Sequence, residues 1–165
     1  MADTETAQNL LTTCIQDLLA GEQDLAARLP AVAAQAKDEA LRTTLGEIAA
    51  QAQAHAQSLE DSGRAKGGPD NLWMRGILDD AERDTRTIAA GPLLDTAMIG
   101  AVRKALAAKR ASYETAIAMA EALAERELAT TVRRLHADEA ESDARLSALL
   151  AETAAAAVGA WAGQP

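Results

Sequence analysis

The chain has 165 residues, enough for one domain with a substantial core. It contains no Phe, two Trp and one Tyr, while Ala and Leu dominate, a composition that points away from sheets and toward an all-α fold. The formal net charge of −9 disfavours nucleic acid and anionic membrane surfaces as partners, and the lone Cys14 excludes an internal disulfide.

The N-terminal stretch MADTETAQN has no basic region and no apolar core of a signal sequence, and no apolar run reaches transmembrane length, so the expected location is the cytoplasm. Thr4 or Asp3 can cap a first helix, with Glu5 in its first turn. Its apolar seam runs Leu11, Ile15, Leu18, Glu22, Leu25, Leu29, Val32, in alternating steps of three and four. Glu22 is the polar member. Pro30 lies inside this pattern and is expected to kink or split the helix, because it removes an amide donor and crowds the preceding turn.

A link near Ala36–Asp38 leads to a second helix, Glu39 to Asp61, with the seam Leu41, Leu45, Ile48, Ala52, His55, Leu59. His55 is its polar member. Ser62-Gly63-Arg64-Ala65-Lys66-Gly67-Gly68-Pro69 reads as a loop. Asp70 or Asn71 then caps a shorter helix to about Ala89 with a thin stripe of Trp73, Ile77 and Ile88, ended by Gly91-Pro92. The fourth helix, about Leu93 to Ala124, has the seam Ile99, Val102, Leu106, Lys109, Tyr113, Ala116, Ala120, Leu123. Lys109 is charged and sits mid-seam. After a break around Glu125–Glu127, a fifth seam runs Leu128, Val132, Leu135, Glu139, Ser142, Leu146, Leu149.

Four long helices and a shorter one predict a four-helix bundle in which the third segment, about twenty residues or ~30 Å long, carries the chain back to the other end. Helices two and four then run parallel, as in ferritin-like folds. The bundle is assigned to residues 1–153 and an Ala-rich C-terminal tail, expected to fray, to 154–165.

Each long helix contributes one strongly polar residue near mid-seam: Glu22, His55, Lys109 and Glu139. Counted from a first turn near residue 37, Glu22 lies about 15 residues before and His55 about 18 after; from a second turn near residue 125, Lys109 lies about 16 before and Glu139 about 14 after. At ~1.5 Å per residue all four fall near one height, which predicts a polar layer. Bundle cores with such layers hold metals when facing helices supply about four carboxylates and two histidines, usually with Glu-x-x-His pairs. No Glu-x-x-His occurs here, and Lys109 brings a cation to the layer. A structural salt-bridge layer, with Lys109 balancing Glu22 and Glu139, is therefore preferred over a metal site, for which the ligands would be Glu22, His55 and Glu139. His55 is read as a hydrogen-bonded core residue, His136 as an exposed or half-exposed one, Cys14 as a small packing residue, and Asp79, Asp80, Glu82 and Asp84 as a solvated face. There is no Ser–His–Asp order, phosphate loop or paired-Cys zinc spacing.

Several stretches in order resemble the YciE/YciF-like family of bacterial ferritin-like proteins: Leu18-Leu19-Ala20-Gly21-Glu22-Gln23-Asp24-Leu25 followed by Leu29-Pro30, Gly76-Ile77-Leu78-Asp79-Asp80, Ala111-Ser112-Tyr113 with Ala118-Met119-Ala120, and Asp138-Glu139 through Asp143 and Leu146. The resemblance implies a ferritin-like bundle, an association with stress responses and a metal site. Glu22 matches the family's first-helix acid, and Asp138-Glu139 its last-helix acids. Where the family has His and Glu on the second helix this chain has Ile48 and Gln51, and where it has two Glu on the fourth helix this chain has Leu106 and Lys109.

The chain is thus read as a divergent member: a non-catalytic, stress-related bundle protein with no cofactor and a buried charged layer in place of a di-metal site. The alternative is a metal-binding oxidoreductase or iron-handling protein using iron or manganese; small-ligand binding in an Ala-lined cavity is a third class. A homodimer is expected, with Trp73 or Trp161 near the contact, since exposed aromatics anchor interfaces.

Overall fold

Five helices carry the chain: α1 (Ala7–Ala33), α2 (Glu39–Asp61), α3 (Leu72–Thr87), α4 (Pro92–Ala122) and α5 (Arg126–Ala162), with no strand among the described residues. In this computed structural model the described residues run from 4 to 162, without the side chains of Trp161 and Ala162, so the contact expected of Trp161 lies outside them.

The helix ends correct the sequence reading in small ways. Thr6, not Thr4 or Asp3, caps α1, its side chain accepting the Asn9 amide proton, so Glu5 falls outside the first turn. Pro30 does not split α1, which continues to Ala33; the proline ring lies on an exposed face of the helix. Asp38 and Asn71 cap α2 and α3 through their side chains. The α4–α5 turn comes two residues earlier than expected, and Ala124 takes the left-handed conformation (φ 59°) that glycine usually supplies.

Hydrogen bonds fix the topology. Asp95, buried near the start of α4, accepts the amide protons of Lys37 and Asp38, at the start of α2, with both bonds at 2.9 Å. At the opposite end Arg64, after α2, pairs with Glu125, after α4. α2 and α4 therefore run parallel. α3 runs parallel to α1, with Asn71 and Trp73 on Asp17 at one end and Arg28 on Asp79 and Glu82 at the other. That path makes α3 the crossover from the far end of α2 to the start of α4. The fold is the all-α, ferritin-like four-helix bundle with a short crossover helix.

The stripe of α3 is rotated from the one expected. Met74, Leu78 and Ala81 are fully buried, while Trp73, Ile77 and Ile88 flank them half-buried. The spacing of 74, 78 and 81 is the helical period, which decides the buried face here over the bulk of Trp73, Ile77 and Ile88. The Asn71 amide and the Trp73 indole lie over Gly21, where a Cβ would stand only 3.1 Å from the Asn71 side-chain nitrogen, so the absent side chain at 21 lets the start of α3 seat closely on α1. The acids of α3 are partly paired: Arg28 holds Asp79 and Glu82, and Arg83 holds Asp80 and Asp84.

The four seams are buried as spaced, apart from their half-buried last members Leu123 and Leu149. The apolar core is divided in two. One cluster gathers Leu25, Leu29, Leu41, Leu45, Ile99 and Leu146, the other Leu11, Ile15, Leu18, Leu59, Tyr113 and Leu135. Between them lies a layer of charged side chains.

Candidate functional site: a buried charged layer

Each long helix sends one side chain into this layer. Glu22 comes from α1, His55 from α2, Lys109 from α4 and Glu139 from α5, and all four are at most 2% exposed. The seams place them there: each stands three or four residues from buried seam neighbours on both sides, Leu18 and Leu25 for Glu22, Ala52 and Leu59 for His55, Leu106 and Tyr113 for Lys109, and Leu135 and Ser142 for Glu139. Lys109 Nζ donates to Glu22 Oε2 and Glu139 Oε1, each at 2.7 Å. His55 Nδ1 lies 3.0 Å from Glu139 Oε1 and 3.4 Å from Glu22 Oε1, and its Nε2 lies 3.2 Å from Asp138 Oδ2. The Tyr113 hydroxyl donates to Glu22 Oε1 at 2.6 Å, and its ring meets the His55 ring edge-on.

Both nitrogens of His55 face carboxylates, so a neutral ring would aim a lone pair at an anion. Burial pulls its pKa down, but the hydrogen bonds and charges of Glu139 and Glu22 outweigh burial and hold it up at about 9. Burial likewise works against the Lys109 charge, and Glu22 and Glu139 reverse the effect and raise its pKa. Glu139 is depressed: burial would raise it, but Lys109 and His55 win. Burial and the adjacent Glu22 push the Tyr113 phenol well up. The Lys109 ammonium and the His55 imidazolium therefore stand against the buried carboxyl groups of Glu22 and Glu139, with Asp138 at the edge of the layer.

The α2–α5 contact differs from the leucine seams. Four polar pairs climb it in antiparallel register: Ser58 with Arg134, His55 with Asp138, Gln51 with Ser142, and Glu47 with Arg145. Asp138 is half-exposed and touches His55 directly, so this is the side on which solvent comes nearest the layer. Sequence reasoning missed Tyr113, Asp138 and Gln51 as members of this network. Tyr113 stands in the apolar seam one turn beyond Lys109, the distance at which its phenol reaches the same partner, Glu22. His136 is half-buried and pairs with Glu114 at 3.2 Å, away from the layer. Cys14 is half-buried against the Leu11–Ile15 cluster, and burial together with Asp17 raises its pKa, which makes it a poor nucleophile. Two surface grooves, one lined by Gln16, Gln23, Glu60 and Lys66 and one by Lys37, Asp95 and Glu152, include no residue of the layer.

The chain matches, over residues 6–159, the family described as a domain of unknown function, DUF892. The chain belongs to this family. None of the curated proteins matches its sequence. Among solved structures it is similar to the E. coli stress protein YciF (18% identity, TM-score 0.86, covering 92% of this chain and 98% of YciF). It is also similar to YcfI of Rhodopseudomonas palustris, described as a candidate structural protein (23% identity, TM-score 0.83, covering 88% and 95%). The family is thus the YciF-like one that the sequence resembles, and the two likenesses fix the fold.

A di-metal centre does not fit the residues present. Ile48 and Leu106 supply no donor, Gln51 only an amide, and the Lys109 ammonium sits between the Glu22 and Glu139 carboxylates.

Two outcomes follow. Replacing Lys109 by Leu leaves Glu22 and Glu139 short of a countercharge and should cost ~3–5 kcal/mol in urea melts, whereas adding Glu22→Leu should recover part of that loss. Strictly additive losses would show that the two charges are not coupled. The second outcome concerns pH. His55 has a folded pKa above its unfolded value, so the stability it contributes is complete below about 6.5 and is lost as pH rises through about 9. Glu139 has a folded pKa below its ordinary 4.5, so its contribution is complete above that value and is lost in more acid solution. Stability should peak between these limits, and the alkaline decline should shrink in His55→Gln. An undiminished decline in that variant would assign it to other groups.

Proposed function

We propose that this protein is a non-catalytic, ferritin-like bundle protein whose core layer is closed by charge pairing rather than by a metal. The observation that carries this reading is the Lys109 ammonium 2.7 Å from both buried carboxylates. A fixed cation there repels a second cation and occupies the ligand oxygens a metal would need. A role in stress physiology is taken from the likeness to the stress protein YciF, and a cytoplasmic location is part of the proposal. No helix among the described residues is long and apolar enough to cross a membrane.

The protein acts, on this reading, through its surface. A homodimer is part of the proposal. Leu72 is 78% exposed beside the half-exposed Trp73, which offers an apolar contact at the start of α3. The Trp73 indole also donates to Asp17 at 3.1 Å, so it would present only its outer edge.

A second reading, a metal-binding oxidoreductase or iron-handling protein, is favoured by one observation: donor atoms of Glu22, His55 and Glu139 lie within 4.8 Å of one another. Metal analysis of protein isolated without chelators separates the two. The first reading expects iron, manganese and zinc far below one equivalent per chain; near-stoichiometric metal would replace it with the second. Light scattering on the same sample should report a dimer, and a monomer at high micromolar concentration would remove the dimer from the proposal.

A further inference from the structure

Lys109 occupies a place that, without it, would be a closed pocket lined by acids. The distances say what else that pocket could hold. Three donors that each lie about 2.0–2.2 Å from one ion stand no more than ~4.4 Å apart. One oxygen of Glu22, one ring nitrogen of His55 and one oxygen of Glu139 already lie within 4.8 Å of one another. Sub-ångström side-chain shifts would bring them to a common ion. A second, independent observation concerns Glu139. Its Oε2 is buried and has no hydrogen-bond partner among the described residues, so Lys109, His55 and Gln51 leave one acceptor unused. A buried carboxylate oxygen without a partner is costly and rare.

From these two observations we infer that Lys109 is a tethered cation seated in a latent single-metal site whose ligands are Glu22, His55 and Glu139. The inference rests on the structural reading above and names what the ammonium stands in for. Loss of the ammonium leaves the two carboxylates with too little positive charge, a deficit that a divalent cation removes. One imidazole and two carboxylates suit zinc, cobalt, manganese or ferrous iron better than magnesium or calcium, which prefer all-oxygen shells. The polar α2–α5 contact, with Asp138 half-exposed beside His55, gives a hydrated ion a way in that the leucine seams do not.

The test titrates Co2+ into the natural protein, Lys109→Ala, and Lys109→Ala with His55→Ala. Visible absorption reports the coordination, and thermal melting reports linkage to folding. Lys109→Ala should bind one equivalent of Co2+, gain visible bands, and melt at a temperature that climbs with Co2+ concentration. The natural protein should show none of these, and the double variant should lose them. If Lys109→Ala is unfolded alone, recovery of helix with Co2+ but not with Mg2+ supports the inference. Folded Lys109→Ala without Co2+ binding overturns it, as does an unfolded variant that neither ion restores. Natural protein that is metal-loaded would defeat the structural reading itself; metal-free natural protein with an inert Lys109→Ala defeats only the latent site.

Discussion

The Lys109 ammonium, held between the carboxylates of Glu22 and Glu139, is the interaction on which the rest of the bundle depends. Apolar seams of Leu and Ala tolerate sliding by a turn, because one leucine can replace another in the same hole. A buried charge cannot slide, because every displaced position is apolar and leaves it unpaired. The ammonium therefore ties α1, α4 and α5 at one height, and His55 ties α2 to the same height through Glu22 and Glu139. The layer is also where the apolar core divides, so each half of the core packs against a fixed boundary.

Pairing within the layer also explains why so many charges can be buried in a chain with few aromatic residues. The Lys109 ammonium and the His55 imidazolium offset the charges of the carboxylates they touch, although Glu139 Oε2 is left without a partner among the described residues, and Tyr113 adds a donor to Glu22 without adding charge. An ion pair removed whole from such a site often costs little, while one removed by half costs much. The arrangement thus constrains variation strongly: changes at 22, 109 and 139 are tolerated together more readily than singly.

Much of this was legible in the sequence because the signal was periodic. Steps of three and four mark a buried helix face whatever the partner, so a charged residue on such a face is conspicuous, as Lys109 was. Heights counted from two turns then brought Glu22, His55, Lys109 and Glu139 near one another. What sequence could not give was the choice among residues a turn away. Asp138 neighbours Glu139 but points to the edge of the bundle, where it meets His55 and Arg134. The α2–α5 ladder depends on pairing across two helices that are distant in sequence, and no local pattern encodes it. The stripe on α3 is a different case: its two faces contrast strongly, but the buried face is carried by Met74, Leu78 and Ala81 at the helical spacing and not by the bulkier Trp73 and Ile77 beside them. Ala124 in a left-handed turn had no glycine to announce it.

The central claim is that an ammonium, and not a metal, neutralises the two buried carboxylates. The most direct measurement is nitrogen–proton NMR of the lysine side chains in the natural protein at neutral pH, with assignment by Lys109→Arg. The account predicts one slowly exchanging ammonium resonance, protected by burial and still protonated above the ordinary lysine pKa of 10.5, that does not move when Zn2+ is added. Absence of any protected ammonium, or its displacement by stoichiometric Zn2+, would contradict the account.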